Sequence, residues 1–487
     1  HGDLFRAIDL DAPSLKALRS PVRKEDWAAA YEAWDHYFRR DKDHLDMFDP
    51  AEFRRLMRGR DREAAYYRRQ ARDVCSHRIQ WYGPRVDQFG DIMNFSPGTD
   101  RSALYGFHYW YWANPLLFAY VLDRDPEYAA AFDRLFSQWY DQRDSVEWRI
   151  PRLDPIWYEL GLCRTNRFVA FYSLLRKDPA LRPMTRERML KTLLGHGRAL
   201  FGFVKGTRTG GNFQFNSTLA LTHLALAMPE FKESKRWVHE SLKTIHNLLR
   251  HAVYEDGGFF ERCPSYASFS LGFSTEIYRL LEDYPEHAGA RRDIGKLLRR
   301  GYDWYMNIVT PLGEFPPFGD AKTRSALQML SAGVHALDLD DLFATIQPNL
   351  SRVNRERLFH QYSHRSREVD LSRRRVRSDA LPENPSTHFK DSHWSIMRSS
   401  WKPSAHYLAI NHGPIAGHAH REALSFNCYA FGEPQALELD LAVTMGYDDE
   451  RCEFCRSSRS HNMVVLDGES IEHTRNPISL WTGQNVI

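Results

Sequence analysis

At 487 residues the chain is too long for one ordinary hydrophobic core, so two domains are expected. With 43% hydrophobic and 26% charged residues it has a globular composition, and no uninterrupted apolar run is long enough to cross a bilayer. A net charge of +3 is near neutral for this size, which excludes the bulk attraction that nucleic acid or a membrane surface would use.

From the start to about residue 345 the apolar spacing is helical. Segments Trp27 to Arg40, Tyr105 to Leu122, Tyr128 to Tyr140, Arg164 to Leu175 and Arg186 to Val204 carry it, followed by Ser217 to Met228, Trp237 to Tyr254, Phe269 to Leu281 and Ile294 to Val309. Asp125-Pro126, Gly210-Gly211, Asp256-Gly257-Gly258 and Pro316-Pro317 punctuate the gaps. Helices joined by short loops imply antiparallel hairpins, which suit an α/α toroid or a helical bundle. We assign residues 1–350 to this domain. Residues 351–384 form a linker rich in arginine, including Arg352, Arg355, Arg373, Arg374 and Arg375. Such a run is either a solvated connection or a contact for a polyanion.

Beyond it the period changes to two. His393 to Met397, His406 to Ile410, Phe426 to Phe431, Ala436 to Val443 and Asn462 to Leu466 read as strands of an antiparallel β-domain spanning 385–487. The six cysteines form no disulfide framework, and Cys452/Cys455 lack the second pair that a cysteine-rich zinc site needs. The chain begins at His1 without a visible signal peptide, so location must follow from function.

Four segments carry chemistry. Gly417-His418-Ala419-His420-Arg421-Glu422 and Ser460-His461-Asn462 supply three histidines in β-patterned sequence. Imidazoles joined by a carboxylate suit a divalent metal such as zinc. On an extended strand His418 and His420 face the same way. Gly210-Gly211-Asn212-Phe213-Gln214-Phe215-Asn216 precedes an apolar helix, where Asn212 reads as an N-cap and Asn216 lies one turn on. Asp256-Gly257-Gly258-Phe259-Phe260-Glu261-Arg262-Cys263-Pro264-Ser265-Tyr266 ends in a tyrosine at a helix start.

Together these segments resemble the centre of the heparinase II/III superfamily of polysaccharide lyases. Trp157 to Arg164, Tyr105 to Trp110, Phe315 to Asp320 and Phe389 to Arg398 extend the likeness from about residue 100 to about residue 470. Phe213 replaces the usual Trp, Cys263 a serine and Glu422 an aspartate. The resemblance implies an α+β multidomain chain, with an N-terminal α/α toroid followed by an antiparallel β-sandwich. The family's β-domain is longer than the hundred or so residues here, which leaves a truncated chain open.

The resemblance also implies β-elimination on a uronic-acid-containing acidic polysaccharide, heparan sulfate-like first and alginate or another polyuronate next. It makes Asn212 the neutraliser of the substrate carboxylate. Tyr266 and His418 become the proton-transfer groups, with either one as the base. Glu159, Arg164, His108 and Asn216 become substrate contacts. A structural zinc, one per chain, falls to His420, His461 and a carboxylate that follows Gly432-Glu433-Pro434. Counting without a gap selects Glu438, and a two-residue slip selects Asp440. A periplasmic or secreted location follows from such a substrate, whereas the oligomeric state is not readable. Two competitors remain: a glycoside hydrolase using two carboxyl groups such as Asp256 and Glu261, and a noncatalytic glycan-binding protein.

Overall fold

The structure is a computed structural model that describes residues 2–40, 50–82, 85–96, 106–145, 163–206, 211–321, 326, 330, 333, 336–339, 381, 384–415, 417–438 and 450–471. The chain divides into two compact units. The first comprises residues 1–207 and 216–244, and the second 208–215, 245–360 and 368–487; residues 361–367 are assigned to the first.

The longer helices of the first unit are α1 (Trp27–Arg40), α2 (Asp61–Cys75), α3 (Asn114–Asp123), α4 (Pro126–Gln142), α5 (Thr165–Leu175) and α6 (Pro183–Lys205). Helices α7 (Asn212–Ala227) and α8 (Ser234–Ala252) run across the division. Local chemistry sets several starts. The Asp125 carboxylate accepts the Glu127 N–H at 2.9 Å while Pro126 occupies the first turn of α4, where its missing donor costs nothing. The expected helix from Tyr105 is broken by Trp110 at φ 61° and restarts at α3. Trp110 gives up helical geometry to sit fully buried among Phe95, Trp112, Phe136, Trp139 and Phe168. A hairpin of β1 (Arg78–Tyr82) and β2 (Arg85–Gln88), not foreseen from the sequence, follows α2.

In the second unit α9 (Pro264–Leu280) and α10 (Ala288–Ile308) pack closely, because Gly295 faces Tyr278 and Gly301 faces Leu271. A five-stranded antiparallel meander follows: β3 (Thr387–Phe389), β4 (Trp394–Arg398), β5 (Tyr407–Asn411), β6 (Ser425–Ala430) and β7 (Glu433–Ala436). Strict alternation along β5 and β6 buries Tyr407, Ala409, Asn411, Ser425, Asn427 and Tyr429. Trp394 meets Trp304 and Phe318, and the Tyr407 hydroxyl donates to the Ile308 carbonyl at 2.8 Å. These contacts fasten the sheet to α10.

Two strand expectations change. The strand expected from Ala436 onward instead ends there, and residues 439–443 lie outside those described. Asn462 to Leu466 is irregular. Val464 and Leu466 are 82% and 76% exposed, so their alternation buries no face, while Asn462 bonds sideways to Glu438 and Phe426. A short helix α11 (Glu450–Arg456) and a 3-10 turn (Ser458–Ser460) deliver His461 to the sheet.

Candidate active site and metal centre

Two glycines shape the backbone around His418. Gly417 has φ +59°, and a Cβ there would lie 2.6 Å from Glu261 Cα. Gly319 has φ +66°, and a Cβ there would run into the His418 carbonyl. The peptide of His418 is therefore held on both sides. Its N–H donates to the Glu261 carbonyl at 3.1 Å, and its own carbonyl accepts the Asp320 N–H at 2.9 Å.

Asp320 is the electrostatic centre. Its Oδ2 lies 2.9 Å from His418 Nδ1 and its Oδ1 2.9 Å from His420 Nε2, with Arg456 Nη2 at 3.4 Å. Burial alone would raise its pKa, but the hydrogen bonds from His418 and His420, with the charges of His420 and Arg456, hold it well below the usual carboxylate range. An ionised carboxylate only accepts, so both histidines present N–H to it. In its neutral form His418 keeps a lone pair on Nε2, which lies 3.8 Å from Glu261 Oε1. A neutral His420 keeps one on Nδ1, a buried atom with no hydrogen-bond partner among the described residues.

Tyr266 stands in the first turn of α9, opened by Pro264. Its ring lies flat on His418, centroids 3.4 Å apart and planes 9° off parallel, with Phe269 against it edge-on. Asn212 is the first residue of α7, and its peptide N–H faces the Glu261 carboxylate. Glu261 is buried, and burial raises its pKa against the lowering effects of His418 and the Asn212 N–H. Asn212, Tyr266 and His418 thus all border or touch Glu261 and its neighbours. Asn216 is half-buried one turn along α7.

The metal-ligand set is compact. His420, Glu422 and His461 are buried and offer ligand atoms all within 4.8 Å of one another. Glu422 also accepts the Gly319 N–H at 3.0 Å. Glu438, the carboxylate expected from the sequence, contacts His461 Nδ1 and accepts the Asn462 N–H at 2.9 Å. His461 Nε2 is buried without a hydrogen-bond partner among the described residues. Two imidazoles with orphaned nitrogens, packed with two buried carboxylates, are of the donor types that zinc takes. Asp440 lies outside the described residues.

The other expected contacts belong to the first unit. Arg164 is buried, 3.4 Å from His196 Nε2 and over the Trp139 ring. Both border a cavity of about 350 Å³, lined also by His108, Arg143 and Lys191. His108 is buried, its Nε2 2.9 Å from the Phe95 carbonyl, and burial with Arg164 nearby pushes its pKa down to about 3. It is a neutral, packed imidazole. Glu159 lies outside the described residues. From the sequence, Asp320 and Glu422 had no assigned role in the site, and Glu261 had only that of a carboxyl group in the competing hydrolase reading. For Glu422 a signal was present, its place two residues beyond His420.

The chain matches the family description "Heparinase II/III N-terminus" over residues 4–340 and "Heparinase II/III-like, C-terminal" over 381–483. A heparin-sulfate lyase of Bacteroides stercoris is 20% identical over 507 residues, covering 98% of this chain and 70% of that protein. One of Pedobacter heparinus is 22% identical over 290 residues, covering 56% and 41%. Among solved structures, a heparinase III aligns with TM-score 0.75 at 16% identity over 97% of this chain and 72% of its own. The heparan sulfate lyase HepC from Pedobacter heparinus aligns with TM-score 0.62 at 17% identity, over 97% and 71%. The fold is that of these structures, a helical toroid followed by an antiparallel β-sandwich to which the five-stranded sheet belongs. With both halves matched, the chain belongs to the heparinase II/III family.

Proposed function

We propose that this protein is a polysaccharide lyase that cleaves heparan sulfate, or a closely similar uronate polymer, by β-elimination. The observation that carries the reading is the stacked pair of Tyr266 and His418, with His418 held by Asp320 and its Nε2 lone pair free. The heparin-sulfate lyases among its relatives support the substrate.

The chemistry needs three groups. The proton at C5 of the uronate is poorly acidic while the neighbouring carboxylate stays negative. The Asn212 amide hydrogen-bonds that carboxylate and lets charge build there in the transition state. His418 Nε2 takes the proton, and the C5–H electron pair becomes the C4–C5 double bond. The C4–O bond breaks, and the Tyr266 hydroxyl protonates the departing glycosidic oxygen. Asp320 keeps His418 in the tautomer this requires.

A zinc ion held by His420, His461 and Glu422, with Glu438 against His461, belongs to the same proposal. Bound there it supplies structure rather than Lewis-acid chemistry, because its ligands are buried and His418 turns its free nitrogen elsewhere. A periplasmic or secreted location follows from a polymeric substrate. The test is incubation with heparan sulfate, watching for the near-ultraviolet absorbance of the unsaturated product. New reducing ends without that absorbance mean hydrolysis and sink the lyase reading; binding without any product leaves a glycan-binding protein.

A further inference from the structure

Glu261 is a buried carboxylate that the elimination does not consume. It is 4% exposed, and its Oε2 has no hydrogen-bond partner among the described residues. Such a group is costly to bury, so its place needs a reason. Its surroundings supply one. The side chain reaches the opening of α7, against Gly211, where the peptide N–H of Asn212 faces it and favours its charged form. Gly211 lets it approach, since a Cβ there would lie 3.1 Å from Glu261 Oε1. The main chain of the same residue receives the His418 N–H, and Gly417 lets the turn come that close. Tyr266 follows five residues later.

We propose that Glu261 is a positioning residue whose side-chain acceptor pins the first turn of α7 and so aims the Asn212 amide at the substrate carboxylate. The proposal rests on the lyase reading for its effect on rate, but not for the pin itself. An acceptor is what the geometry asks for, and a formal charge is not. A full negative charge beside Asn212 would oppose the uronate that Asn212 neutralises. Burial, which favours the protonated acid, works in the same direction. His418 is a titratable group that faces the carboxylate, with Oε1 3.8 Å from Nε2.

Three substitutions separate positioning from bulk structure. Glu261→Gln keeps length and acceptor. Glu261→Asp withdraws the acceptor by one methylene, and Glu261→Ala removes it. None of them alters the main-chain carbonyl that holds His418. On heparan sulfate the Ala and Asp variants should lose kcat about a hundredfold, the penalty typical of a misplaced group, with KM changed less than about threefold. Gln should stay within about fivefold of the parent.

The bond runs to the Asn212 peptide, so Asn212→Ala leaves the pin but removes what it aims. In that background Glu261→Ala should cost less than about threefold more, a non-additive cycle. A further hundredfold loss there, or a Gln variant as impaired as Ala, overturns the proposal. Amide hydrogen exchange over residues 211–214 reads the pin without any turnover. Protection should fall at least about tenfold in the Ala variant and persist in the Gln variant, by the local-opening argument. Unchanged protection in Ala overturns the pin. A parent that makes no unsaturated product while exchange behaves as expected refutes the lyase reading alone.

Discussion

At the scale of single residues, Tyr266 is the most direct test of the chemistry. Tyr266→Phe removes one hydroxyl and keeps the ring that lies on His418. Turnover should fall on the order of a thousandfold, as for a lost general acid, while the melting temperature stays within a few degrees. Near-normal turnover would remove Tyr266 from the mechanism. His108 offers a test of a different kind. Its folded pKa is pushed down to about 3, first by burial and then by Arg164. The unfolded chain, titrating near 6.5, therefore binds the proton first as pH falls. The stability this neutral imidazole confers is present above about pH 6.5 and is lost toward pH 3. Between pH 7 and pH 5 the loss amounts to about 2 kcal/mol. His108→Gln replaces the ring with an amide able to donate to Phe95, so its urea-unfolding stability should fall less over that interval. Parallel pH curves for parent and variant would mean that His108 is not buried neutral.

At the scale of elements, glycines of opposite meaning predict opposite signs. Gly319→Ala meets a positive φ and the His418 carbonyl together. It should destabilise by about 1–3 kcal/mol and depress turnover by displacing His418. Gly202 is exposed on α6, with open space where a methyl group would sit. Replacement by Ala there should add up to about 1 kcal/mol of stability. Melting temperatures of the two variants, read together, check both; a shift in the same direction for each would contradict the backbone argument. The elements also show what the sequence disclosed. Helices α4, α6, α8 and α10 were legible because a buried stripe repeats every 3.6 residues, and β5 and β6 because burial alternates every two. The break at Trp110 was not, since it answers to rings far along the chain. Nor was the irregular run after His461, where alternation exists without a partner strand. Within the site, His418, His420, His461, Asn212 and Tyr266 stood out by motif. Asp320 did not, because its partners are 98 and 100 residues away and only folding brings them together.

At the scale of the whole molecule, the prediction concerns metal content. Protein prepared without chelator should carry about one zinc per chain, by the ligand-count rule. Chelation should lower the melting temperature, because an ion bound to the folded state alone stabilises it by mass action. His461→Ala should lose both the metal and that sensitivity. Metal-free protein with an unchanged melting temperature would end the zinc proposal. The proposed metal ligands and elimination residues all lie in the second unit, whereas the arginine-lined cavity lies in the first.

Asp320 makes the two centres inseparable. Its two oxygens each receive an N–H, one from His418 and one from His420. An asparagine in its place would offer one acceptor and one donor. Whichever way that amide turned, one imidazole would have to reverse its tautomer. If His418 reversed, its outward nitrogen would carry a proton and no longer accept one. If His420 reversed, the nitrogen meant for the metal would be blocked instead. Under the proposed roles Asp320→Asn, nearly identical in shape, is therefore a forced choice between holding the ion and keeping the base. No single-atom change at this position leaves the two functions free to vary independently.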